Sequence, residues 1–80
     1  MRVEIKVQEL GTWIRVPDSP YLGRNSNKAW SRGFSARCMG YPISICPYLA
    51  AFARDYWHAG WKKADEMIVE RQLAQDLRGR

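Results

Sequence analysis

Cys38, Cys46 and His58 have the widest chemical repertoire of any side chains in this chain. A thiolate attacks electrophiles or binds metals, and an imidazole moves protons near neutral pH. Their spacing serves neither purpose. The three match no zinc pattern and lack a fourth ligand. His58 has no carboxylate or nucleophile placed beside it by any motif. Glu66 and Glu70 lie four apart on one helix face, where solvated charge explains them better than acid–base catalysis. No glycine-rich phosphate loop occurs. Cys46 precedes Pro47, so a helix starting there would make it the one reactive candidate, with a capping role the better fit. These residues describe a non-enzyme that holds no metal and no cofactor.

The chain's chemistry is instead basic and aromatic. Its net charge is +5, unevenly spread. Arg24 to Lys63 holds seven basic residues against Asp55 alone, a net of +6. The stretch before it is neutral, and the stretch after it carries −1. A localised basic field with interleaved aromatics is the footprint of nucleic-acid binding, although a solvated basic helix face has the same composition. Lys28 and Arg32 are four apart and share a helix face. With Arg37, Lys62 and Lys63 they are expected to form one RNA-facing patch. Tyr48 and Trp61 are its expected aromatic partners.

Several elements must position these residues. Val3, Ile5 and Val7 alternate with charged residues, and Trp13 to Val16 repeats the β-like pattern. A hairpin follows, with its turn around Glu9 to Thr12 and its apolar face on the helices. The alternative is an edge offered to a partner's sheet. Pro17 to Gly23 has linker chemistry. A first helix is expected over about Asn27 to Met39, capped by Asn25 or Ser26. Gly40 and Pro42 end it. Pro47 then starts a second helix that runs to about Leu77 or breaks in the tail. Ala29, Gly33, Ala36 and Gly40 form a small-residue stripe suited to close contact with that helix. Ala50, Ala53, Trp57, Gly60, Trp61, Ala64 and Ile68 recur at helical spacing. Phe34 and Trp57 are the expected core. The fold class is α+β: a small N-terminal β-hairpin, then a two-helix unit of helix-turn-helix hairpin form with a long second helix. Residues 1–80 form one domain. It divides into hairpin and linker (1–23), helical hairpin (24–64) and helical tail (65–80).

Part of this pattern resembles a known family. Arg32-Gly33-Phe34, Ala36, Gly40, Cys46-Pro47-Tyr48 and Trp57-His58-Ala59-Gly60-Trp61 are similar, without a gap, to the pattern of ribosome modulation factor. The similarity covers about Ala29 to Ala64. One departure stands inside it: Arg37 occupies a place where the family usually has glycine. The resemblance implies a small protein that binds rRNA on the small ribosomal subunit, near the message-binding region, and silences translation by promoting inactive ribosome pairs.

A second function fits the same residues. A phage or mobile-element protein that inhibits a bacterial host complex, such as a defence system, would present a basic face to an acidic protein surface. No apolar run is long enough to span a membrane. The N-terminus lacks a signal peptide's apolar core. A cytoplasmic protein is expected, with Cys38 and Cys46 as free thiols; a bridge across the turn is the alternative. Eighty residues bury limited apolar area, so self-association as a homodimer is a further expectation.

Overall fold

The computed structural model describes residues 3–78. Strands β1 (Glu4–Val7) and β2 (Thr12–Arg15) form an antiparallel hairpin. Helix α1 spans Arg24–Cys38 and helix α2 spans Ala51–Arg78, with a short 3-10 turn at Ile43–Ile45 between them. This is the α+β order expected from the change of hydrophobic period.

The hairpin pairs Ile5 with Ile14 and Lys6 with Trp13. Alternation therefore puts Val7 and Ile14 on the buried face and Lys6, Trp13 and Arg15 on the exposed one. The turn closes through Leu10 and Gly11, whose N–H groups both donate to the Val7 carbonyl. Gly11 sits at φ +68°, a conformation that glycine adopts without a Cβ penalty. The Gln8 N–H donates to the Cys38 carbonyl at 2.9 Å, fixing the hairpin to the end of α1.

Helix α1 starts three residues earlier than expected. Gly23 is its N-cap, with extended backbone, and its carbonyl takes the Asn27 N–H at 2.9 Å. No side chain caps the helix, so Asn25 and Ser26 lie within its first turn instead of before it. Its end follows the expected chemistry. Gly40 has φ +91°, and the Tyr41 and Gly40 N–H groups return to the Ala36 and Arg37 carbonyls. That is the Schellman arrangement, which satisfies the last free carbonyls.

Helix α2 corrects the sequence reading at its start. It begins at Ala51, where the Arg54 N–H reaches the Ala50 carbonyl, and not at Pro47. Cys46 has φ −48° and ψ 123°, the extended form that a following proline favours. Residues 46–50 carry no helix and lead the chain to Tyr48, whose hydroxyl meets Arg32. Cys46 therefore does not start α2; it is the C-cap of the 3-10 turn. From Ala51 the helix is unbroken to Arg78.

The two helices touch backbone to backbone. A Cβ built on Gly33 would stand 1.9 Å from the Trp57 carbonyl oxygen, and one on Gly60 would stand 1.9 Å from that of Trp30. The small-residue stripe is thus shorter than expected: Ala29 and Gly33 are buried, Ala36 is half-buried, and Gly40 faces open space. Around the crossing lie Trp30, Phe34, Trp57, Ala64 and Ile68, all buried, with Val7 and Ile14 from the hairpin. The far end of α2 leaves Val69, Leu73 and Leu77 exposed. No described helix is long and apolar enough to cross a membrane.

Candidate nucleic-acid interface

Lys28 and Arg32 project from the exposed side of α1, one turn apart. The Arg32 Nη1 donates to the Tyr48 hydroxyl at 3.0 Å, which draws the extended segment onto that side. Phe52 and Tyr56 rise from the first turns of α2 beside it. Together these residues, with Asn25, line an open cleft of about 350 Å³. Its lining includes no acidic side chain. The aromatics brace one another: Tyr56 packs edge-on against Tyr21 at 4.5 Å and against Phe52 at 6.5 Å between ring centres. Cations beside aromatic rings in one cleft can grip a phosphate and stack a base.

Arg37 is placed differently. Its Nε donates to the Asp65 carboxylate at 2.8 Å, and its Nη1 donates to the Glu9 carboxylate at 2.7 Å. Only 13% of its side chain is exposed. Two carboxylates answer its charge within the molecule, so Arg37 joins the hairpin to both helices instead of facing outward. The hydrogen bond from Arg37 holds the Glu9 carboxyl below its ordinary range. Gln72 completes the cluster, donating to Glu9 at 2.9 Å.

Trp61 belongs to this cluster. Its ring lies under the Arg37 guanidinium, 5.6 Å from the centroid, and its Nε1 donates to the Tyr41 carbonyl at 2.8 Å. Its indole N–H is therefore already used, and one face is covered. Lys62 and Lys63 are exposed on α2, and neither lines the cleft. Lys63 borders another groove, with Pro17, Asp18 and Trp30, and stands 3.8 Å from Glu66. Of the seven residues read as one patch, Lys28, Arg32 and Tyr48 come together around one cleft. Arg37 and Trp61 form a second, inward-tied cluster.

Sequence reasoning missed Phe52 and Tyr56. A signal was available, since Tyr48, Phe52 and Tyr56 recur every four residues. It also passed over Trp13, which is 57% exposed on the outer face of the hairpin, opposite Lys6.

His58 lies edge-on to Trp57 at 5.8 Å. Among the described residues no group of three or more His, Cys, Asp or Glu could hold a metal ion. Both cysteines are free. Cys38 is 1% exposed, and burial pushes its thiol up to about 11, whereas Cys46 is half-buried on the connecting segment. The thiolate is the reactive form, so Cys38 is almost wholly inert at neutral pH. Alkylation of the native protein should add one label, at Cys46, and a second only in denaturant. Rapid double labelling without denaturant, read by mass spectrometry, would contradict this burial.

Comparison with known proteins agrees with the local pattern. Residues 20–72 match the family described as ribosome modulation factor. The match extends the resemblance at both ends, taking in the last part of the linker and most of α2, and it leaves out the hairpin. The ribosome modulation factor of Xenorhabdus nematophila is 46% identical over 39 residues, which are 49% of this chain and 75% of that protein. No solved structure matches the chain. A cleft of cations and aromatics built wholly from residues within the matched span, and the two glycines that hold its helices together, go with that similarity: the chain belongs to the ribosome modulation factor family.

Proposed function

We propose that this protein is a non-catalytic binder of ribosomal RNA that docks on the small subunit and silences translation. The observation that carries this reading is the cleft between α1 and α2. It brings Lys28, Arg32 and Tyr48 together inside the family-matched span with no acidic residue in its lining. Lys62 and Lys63 add charge from α2. Arg37 contributes by holding the hairpin against the helices.

Phosphate contacts release counterions, so binding to single strands weakens with salt by a log–log slope of about −0.7 per contact. Replacing Lys28 and Arg32 together by Ala should flatten that slope by about 1.4 units and weaken binding alike for all sequences. Sedimentation of ribosomal subunits with wild type and double variant, across a salt series, measures this. Co-sedimentation with the small subunit is the expected result for the wild type. An unchanged slope in the variant would remove Lys28 and Arg32 from the interface. Recovery of one host protein, with no ribosomal subunit at low salt, would replace this reading by the inhibitor one.

A further inference from the structure

The cleft has a shape and a lining that a phosphate-gripping face does not require. Lys and Arg on an open helix surface suffice to track a nucleic-acid backbone. Here they stand at the rim of a concavity of about 350 Å³, at the small end of ligand clefts (~300–1,000 Å³). The concavity is walled by Tyr48, Phe52 and Tyr56. Phe52 is 67% exposed although Tyr56 and Tyr21 form a continuous aromatic row behind it. Asn25 and Ser26 offer amide and hydroxyl groups on the opposite wall. Those two residues also belong to the first turn of α1, which has no side-chain cap and no acidic residue. Its free N–H groups favour an anion at that end.

We infer that this cleft takes a single unpaired nucleotide turned out from its RNA strand. Its base lies against Phe52 and Tyr48, and its phosphate lies at Lys28 and Arg32. The inference rests on the RNA-binding reading and adds a base site to it. The guanidinium of Arg32 has five N–H donors and spends one on the Tyr48 hydroxyl, so the rest remain for a phosphate oxygen. The same hydrogen bond fixes the Tyr48 ring as a wall of the cleft. A duplex cannot offer such a base without unpairing it, so the site selects single-stranded RNA.

The test uses the full chain and a short single-stranded RNA carrying one 2-aminopurine, with the same sequence as a duplex for comparison. Stacking in the cleft should quench the 2-aminopurine on binding. Phe52→Ala and Tyr48→Ala should abolish the quench and lose between about fivefold and a hundredfold in affinity for the single strand, with the salt slope unchanged. Tyr48→Phe should lose less, and Gln75→Ala, on the far part of α2, should keep the full quench. Phe52 is exposed, so its variant keeps the fold, which circular dichroism checks. Wild-type quench and affinity in both aromatic variants would overturn the base site while leaving backbone binding by Lys28 and Arg32 intact. No RNA binding by the wild type at low salt would overturn both. Ribosomal subunits lost by Phe52→Ala, with free RNA ignored by every form, would assign the cleft to a protein side chain and overturn it too.

Discussion

Gly60→Ala should lower the melting temperature by about 10–20 °C. The added Cβ would stand 1.9 Å from the Trp30 carbonyl oxygen, 2.7 Å from its carbon and 3.1 Å from the Phe34 nitrogen. All three are backbone atoms, so no side chain can swing aside. The helices must separate, and the buried contacts around Trp57 and Phe34 loosen with them. Alanine returns ~1 kcal/mol of helix propensity. Overpacking of this kind costs ~1–3 kcal/mol and sometimes more, and an unrelieved backbone clash belongs at or just above the upper end, about 3–4 kcal/mol. A net loss of about 2–3 kcal/mol corresponds to the stated shift in a chain of this length, at ~4–8 °C per kcal/mol. Gly33→Ala should behave alike, since its Cβ meets the Trp57 carbonyl in the same way. Gly23→Ala is the milder comparison: its φ is −74°, only the Ser26 side chain lies nearby, and the loss is that of an N-cap exchange, ~1 kcal/mol or less. Thermal melts followed by circular dichroism decide the matter. Equal melting temperatures for all three variants and wild type would mean that the helices do not meet at their backbones.

Trp57→Ala should cost ~3–5 kcal/mol. The residue is 2% exposed, and its carbonyl is the atom on which Gly33 rests. Domains of this size have total stabilities of about 4–12 kcal/mol, at ~0.05–0.15 kcal/mol per residue. One substitution would therefore remove about a quarter of the stability or more, and it leaves much of the protein unfolded if the wild type sits at the low end. Trp61→Ala, four residues on, should cost far less. Trp61 is half-buried and loses one hydrogen bond to Tyr41 and its stack with Arg37. Urea titrations of the two variants should separate clearly. Near-equal midpoints would place the core elsewhere.

The hairpin and the end of α1 were legible because local chemistry decides them. Alternation of Ile5 and Val7 with charges, and glycine at the two positive-φ positions, need no long-range information. The start of α2 was misread for the opposite reason. Proline favours a first helical turn, but here the tertiary contact between Tyr48 and Arg32 goes with an extended path past Pro47. Arg37 shows the same limit in charge counting. Its partners Glu9 and Asp65 each lie 28 residues away, so a sum over Arg24 to Lys63 takes it for a free cation. Tyr48, Phe52 and Tyr56 carried a readable stripe. Its meaning as the wall of a cleft depends on Lys28 and Arg32 facing it from another helix.

The bond between Glu9 and Gln72 spans 63 residues and joins the hairpin turn to the far part of α2. During synthesis the hairpin emerges first, and a lone hairpin is marginal in water. Its apolar residue Ile14 borders Met67, and the core that receives it includes Ile68. α2 must leave the exit tunnel through Ile68 before that surface exists. Trp57 and Gly60, which hold α1 in place, are themselves made late. The hairpin therefore stays without its packing surface until α2 has been made through Ile68.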